Sequence, residues 1–242
     1  MEWSGEGYIL SVKPHGETSA IVDVFTIDRG RHAGLVRGGR SRRMRPVLQS
    51  GNKVSVDWHA RLSEHLGNFN IEALDSHAAL LMNDRLALTA LNSISALIMS
   101  AIPERESHPN LYQGYEILLQ NLLDPDIWPA LYVRFEIALL HALGYGLDFS
   151  SCAATGALED LTHVSPRSGR AVCAEAAEPY LDKLMRLPDF LKGGTGLVEG
   201  DIEAGFKLSG YFLTTRIYHP INKDIPDARS RLITELKTVG IL

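Results

Sequence analysis

Up to about Asp75 the apolar residues of this chain recur with a period of two, and from Ser76 onward they recur with the period of a helix. A period of two sends alternate side chains to opposite faces of a strand, whereas 3.6 gathers them into one stripe along a helix, so the switch marks a change of architecture. Five runs carry the first pattern. Tyr8, Leu10 and Val12 alternate with Ser11 and Lys13; residues 21–27 are β-branched and aromatic; residues 33–36 form a short run. Val54, Val56 and Trp58 alternate with Lys53, Ser55, Asp57 and His59, and Phe69, Ile71 and Ala73 with Asn68, Asn70 and Glu72. Five short strands with Gly-rich boundaries predict a small closed or nearly closed barrel, because closure removes unpaired sheet edges. An oligonucleotide-binding (OB) β-barrel over residues 1–77 is the leading candidate.

Ser76 is placed to cap a first helix whose stripe runs through Leu80, Leu81, Leu86, Leu88, Leu91, Ile94, Leu97 and Ile98 until Pro103 ends it. Further helices are expected over residues 110–123, 128–143, 176–185, 201–219 and 226–239, with Pro226 at a first turn. The fold class is therefore α+β and multidomain, with a mainly α-helical domain over residues 78–242. One stretch interrupts the helices. Residues 148–176 are rich in Ser, Thr, Gly and Pro, hold both cysteines, and read as an insert, an irregular loop or small ribbon.

The composition, 45% hydrophobic and 22% charged over 242 residues, excludes disorder and fibrous repeats. No stretch approaches the ~18–20 apolar residues of a membrane span. The richest, residues 78–102, is broken by Asn83, Asp84, Arg85, Asn92 and Ser93. Two cysteines, and a start (Met1, Glu2, Trp3, Ser4, Gly5, Glu6) without a basic and then apolar run, point to a reducing cytoplasm. The net charge of −5 conceals an asymmetry: residues 1–75 carry ten Lys/Arg against nine Asp/Glu, residues 76–242 fourteen against twenty. Charge is segregated along the chain.

The strongest local signal is Arg37-Gly38-Gly39-Arg40-Ser41-Arg42-Arg43-Met44-Arg45, five arginines in nine residues with no acid, after the third strand. Guanidinium forks pair bidentately with phosphate oxygens, and glycines let backbone approach a strand, so the loop is a candidate phosphate-binding site against the plainer reading of a solvated basic loop. On an OB barrel such a loop is joined by aromatic platforms, for which Tyr8, Trp58 and Phe69 are the candidates, with Lys53 a further cation. In the helical part, Arg134 sits among Tyr132, Phe135, Leu139 and Leu140. A cation beside an apolar groove captures the C-terminal carboxylate of a peptide ending in hydrophobic residues, although a salt bridge to Glu136 or Glu116 would also account for it.

Cys152, Asp160, His163 and Cys173 raise the question of a metal. A zinc ribbon needs C-x2-C twice, but positions 155 and 176 are Thr and Ala, which excludes a four-cysteine site and favours two buried thiols. No nucleophile elbow, zinc-protease or paired-carboxylate motif is present, and Gly193-Gly194-Thr195-Gly196 lacks the Lys-Ser/Thr of a phosphate loop. Nothing demands an enzyme, a cofactor or a metal.

With these residues in view, the chain resembles the recombination protein O family of bacterial DNA repair mediators. The likeness rests on Gly7-Tyr8-Ile9-Leu10, Pro14-His15-Gly16-Glu17, Gly34-Leu35-Val36-Arg37-Gly38, Leu48-Gln49-Ser50-Gly51-Asn52, Arg134-Phe135-Glu136, Leu143-Gly144-Tyr145-Gly146-Leu147-Asp148 and Val164-Ser165-Pro166, nearly end to end. The resemblance implies an OB domain, a helical domain and a zinc-ribbon-like insert, here lacking two ligand cysteines. It also implies binding of single- and double-stranded DNA, strand annealing, and joining recombination protein R to load RecA onto strands coated by single-strand binding protein. That protein's acidic, hydrophobic C-terminal tail would dock on the helical domain, at Arg134 in this chain. A cytoplasmic, nucleoid-associated location follows. A reading from another class is a non-catalytic adaptor whose barrel and acidic helical domain bind proteins and not DNA.

Overall fold

The computed structural model describes residues 1–194 and 196–242. Strands β1 (Glu2–His15), β2 (Ser19–Thr26), β3 (Gly30–Val36), β4 (Lys53–His59) and β5 (Asn68–Asp75) close into a barrel in the order β1-β2-β3-β5-β4. β1 is longer than its alternating core because it pairs twice: residues 7–15 with β2 and residues 2–8 with β4. A bulge at Leu10 lets it turn from one neighbour to the other. Ile9, Val22, Val24, Val54, Val56, Trp58, Phe69 and Ile71 fill the interior. Gly34 is required beneath that core, since a Cβ there would lie 2.4 Å from the Phe69 ring. His32 is buried against Trp3, Trp58 and Phe69, and burial lowers its pKa.

Closure is thin at one seam. β3 and β5 share a single parallel register pair, Leu35 with Asn68, supported by the Leu35 N–H donating to the Gly67 carbonyl at 3.0 Å. The other end of β3 is covered by residues 104–106: Arg31 bridges Glu104, the Arg105 N–H donates to the Arg31 carbonyl at 2.7 Å, and Gly30 lies against the Glu106 carbonyl with no room for a Cβ. Arg105 adopts φ 66° there, and its guanidinium donates to the carbonyls of Ser63 and His65 in the β4–β5 loop.

After the barrel, the single stripe expected over residues 78–102 divides into α1 (His77–Leu81) and α2 (Arg85–Ala101). Asp84 is the reason: its side chain leaves the helical path to accept the Ala87 N–H at 2.9 Å and caps α2, while Ser76 makes no side-chain cap. α3 (Pro109–Asn121) brings Tyr112 and Tyr115 onto Tyr8 and Phe25, ring centroids 5.6–6.0 Å apart, so β1 and β2 are buried on both faces. The barrel thus belongs to a compact unit of residues 1–123 and 226–232.

The second unit comprises residues 124–225 and 233–242. It begins with α4 (Trp128–Ala142), followed by β6 (Leu161–Val164), β7 (Ala171–Cys173), α5 (Ala174–Ala177), β8 (Met185–Arg186), α6 (Asp201–Phe212) and, across the unit boundary, α7 (Asp227–Thr238). The insert is a ribbon of three strands in the order β7-β6-β8. It extends past its expected end because the helix expected over residues 176–185 does not form: Pro179 lacks the N–H a helix would need, and α5 gives way to a 3-10 turn. α4 packs on α6 through Tyr132 and Phe206, with Gly205 facing Val133 and the buried Ser209 hydroxyl donating to Glu136 at 2.5 Å. The helix expected over 201–219 changes pitch at Leu213–Tyr218, a π-helical stretch ending in a 3-10 turn that contains Pro220. No helix among the described residues is long and apolar enough to cross a membrane.

Candidate functional site

The arginine loop is a succession of hydrogen-bonded turns fixed to the barrel. Gly38, at φ 68°, reverses the chain after β3; the Ser41 N–H then donates to the Gly38 carbonyl, and those of Met44 and Arg45 to Ser41. The buried Leu48 and half-buried Met44 and Val47 plug the loop into the barrel core. Asn52, 2% exposed, latches it: its amide donates to the carbonyls of Pro46 and Val47 at 2.9 and 3.0 Å, and its oxygen accepts the Ala78 N–H. Sequence reasoning had Asn52 only as part of a family motif; the structure gives it a task.

Arg37, Arg40, Arg42, Arg43 and Arg45 are all exposed, and none forms an ion pair among the described residues. The Arg40 guanidinium donates to the Gly16 carbonyl at 2.8 Å, which leaves its charge uncompensated. Arg31 shows the contrast, since Asp23 at 3.1 Å and Glu104 at 3.4 Å neutralise it.

Two residues expected beside the loop are otherwise engaged. Lys53 lies 3.0 Å from Glu116 and 3.7 Å from Glu6, with its ammonium over the Tyr8 ring, so its charge is spent within the protein. Trp58 is 3% exposed, stacks on Trp3 and donates its Nε1–H to the Leu66 carbonyl at 2.9 Å, so neither ring face is open to a base. Phe69 and Tyr8 are likewise core residues. The Tyr8 hydroxyl donates to Glu116 at 2.8 Å; this bond and Lys53 hold the Glu116 carboxyl below its ordinary range, while burial and Glu116 push the Tyr8 phenol up.

In the second unit, Arg134 projects from α4 into a cleft of about 690 Å³ lined by Ile127, Leu131, Phe190 and Leu197, with Asp126 at its edge. Its Nε and Nη2 both donate to the Phe190 carbonyl, at 3.0 and 2.6 Å. A carbonyl aims the guanidinium without cancelling its charge, unlike the carboxylates of Glu136 or Glu116 considered from sequence. Gly193 and Gly194 form part of the rim; Thr195, between them and Gly196, lies outside the described residues.

The ribbon does not fit zinc. Among the described residues no three His, Cys, Asp or Glu side chains converge as metal ligands, so Cys152, Asp160, His163 and Cys173 are not brought together as a set. The two free, buried thiols are bridged by hydrogen bonds instead: the Cys173 N–H donates to Cys152 Sγ at 3.3 Å, and the Thr155 hydroxyl lies 3.5 Å from Cys173 Sγ. Burial pushes the Cys152 thiol up, but the hydrogen bonds of Thr155 and of the Cys173, Thr155 and Ala154 backbone outweigh it and bring it down to about 6. His163 is tied to Thr162 at 3.0 Å, and burial followed by Arg186 lowers its pKa.

The first unit carries a small closed barrel with an uncompensated cationic loop, and the second a cation aimed into an apolar cleft, arrangements of the class suited to anionic ligands and peptide carboxylates. The comparisons with known proteins narrow that class to one family. The signature described as "Recombination protein O N terminal" matches residues 1–77, and "Recombination protein O C terminal" matches residues 82–224. Similar curated proteins are the DNA repair protein RecO of Methylobacterium nodulans, 51% identical over 239 residues covering 96% of this chain and 97% of the relative, and that of Caulobacter sp. strain K31, 46% identical over the whole of both chains. The RecO of Roseobacter denitrificans is 47% identical over 96% of this chain and 97% of its own length. The chain belongs to the recombination protein O family, and this membership supports a role in DNA repair.

Proposed function

We propose that the chain is a recombination mediator that acts by binding and not by catalysis. Residues 1–77 form an OB barrel whose loop of Arg37, Arg40, Arg42, Arg43 and Arg45 holds the phosphates of single- and double-stranded DNA. The observation that carries this reading is the set of five exposed, unpaired arginines on one fixed loop. Phosphate neutralisation lets two mutually repelling strands share a surface, and proximity then favours pairing. The barrel aromatics are core residues, so strands are held by their backbones and most base edges stay free to anneal.

Residues 78–242, with their ribbon over 148–176, carry the partner functions. The cleft at Arg134 takes the C-terminal tail of single-strand binding protein, the carboxylate on the guanidinium and the apolar side chains on Leu131 and Phe190. With recombination protein R the protein then helps load RecA onto the uncovered strand, in the cytoplasm at the nucleoid. The acidic balance of this part, −6 over residues 76–242, keeps DNA binding weak enough for handover.

Fluorescence anisotropy of a labelled single strand across a salt titration tests the reading. Log affinity is expected to fall with log salt by roughly 0.7 per phosphate contact, and replacement of Arg40, Arg42, Arg43 and Arg45 by alanine is expected to remove the binding. A flat salt response, or a variant that binds normally, overturns it; tail binding without DNA binding identifies the adaptor instead.

A further inference from the structure

Between the arginine loop and β5 lies a second cleft, of about 560 Å³, within the range of small-ligand sites. Its two walls differ chemically. Arg37 and Arg43 stand on the loop side; across from them, Asn68, Asn70 and Glu72 line the β5 side. The period of a strand explains the second wall: Phe69 and Ile71 turn into the barrel core, which leaves residues 68, 70 and 72 on the outer face. Met44, half-buried, adds apolar surface to the cleft, and His59 also lines it.

We propose that this cleft receives one unpaired base of a DNA strand whose neighbouring phosphates lie on Arg37 and Arg43. The inference rests on the reading of the loop as the phosphate site. Cations on one wall and amides on the other match the two halves of a nucleotide, an anionic phosphate and a base edge with donors and acceptors side by side. An asparagine amide offers the same paired pattern and is suited to adenine, which presents a donor next to an acceptor. The Asn68 amide oxygen is buried and makes no hydrogen bond among the described residues, so Asn70, exposed on the same face of β5, is the amide that meets the base edge. Glu72 would repel a phosphate on the β5 side, and so fixes which way round the nucleotide lies. With Trp58 and Phe69 committed to the core, the base is held by its edge and the Met44 side chain and not by aromatic stacking. A base already paired in a duplex cannot enter.

The test compares two single strands of equal length and charge, an adenine tract and the same backbone with abasic sites, by anisotropy at fixed salt. The protein is expected to bind the adenine tract about tenfold more tightly, the size of one good base contact. Asn70→Leu, on the exposed face of β5, is expected to erase that preference while the salt slope and melting temperature stay as they were, and Asn70→Gln to restore part of it. Equal binding of the two tracts by the unaltered protein, or a preference that survives Asn70→Leu, overturns the base cleft and leaves the phosphate loop standing. If neither tract shows salt-dependent binding, the loop reading falls and the cleft proposal with it.

Discussion

The loop of Arg37 to Arg45 and the cleft of Arg134 use the same side chain in opposite ways. The loop arginines are exposed and unpaired, on a backbone held from below by Asn52, Met44 and Leu48. Arg134 is exposed too, but two of its nitrogens are fixed on the Phe190 carbonyl. Several exposed cations spread along a fixed loop suit a ligand with many equivalent charges and no fixed register. One aimed guanidinium suits a ligand with a single carboxylate. Number matters in the first place and geometry in the second.

The largest expected effect breaks the loop. Replacing its five arginines by alanine lowers affinity for a single strand by about a hundredfold or more at low salt, while the melting temperature barely moves, since exposed substitutions usually stay within about 0.5 kcal/mol each. Anisotropy and calorimetry on one preparation check both halves. Next, Asn52→Leu leaves every arginine in place but strands the Pro46 and Val47 carbonyls and the Ala78 N–H. It should cost about 1–3 kcal/mol in denaturant unfolding and reduce DNA affinity less than the charge deletion does.

A lysine exchange sharpens the contrast between the two sites. With lysine at all five loop positions most of the DNA affinity remains, because charge number is preserved. Arg134→Lys loses the paired donation to Phe190 and weakens an acidic tail peptide about tenfold, read by calorimetric titration. In the ribbon, Thr155→Val removes a hydroxyl held at Cys173 and should cost about 1 kcal/mol, while a metal chelator leaves the melting temperature unchanged.

The smallest effect concerns pH. Burial lowers the His32 pKa in the folded protein, so protonation favours the unfolded chain. Stability is then full above about pH 6.5, the ordinary histidine value, and declines as pH falls from there through the lowered native value. Melting temperatures between neutral and mildly acid pH should show that decline, less steeply in His32→Gln; His163, lowered in the same direction, accounts for the remaining slope.

The barrel strands were legible because alternation survives wherever one strand face is buried, and β4 and β5 keep it throughout their cores. The same alternation already placed Trp58 on the face of Val54 and Val56, and that face is the interior; reading it as a platform overrode the pattern. Tyr8 and Phe25 were not assignable in this way, because α3 covers the outer face of β1 and β2 and no local pattern announces a distant helix. The capping role of Asp84 and the end of α5 just before Pro179 are decided by single side chains within otherwise helical apolar stripes. The arginine loop was visible as composition, while the Asn68 and Asn70 wall facing it needs the fold to bring β5 beside residues 37–43.

Residues 104–106 lie along β3 where its seam with β5 leaves backbone groups unshared. Exposed strand edges recruit other chains, and natural sheets cover, charge or shorten them. Here the covering piece is borrowed from the connection that follows α2, held by the Arg105 backbone and guanidinium and admitted by Gly30. A covered edge is a poor template for pairing with a second copy of the barrel, so these three residues bear on association as well as on folding.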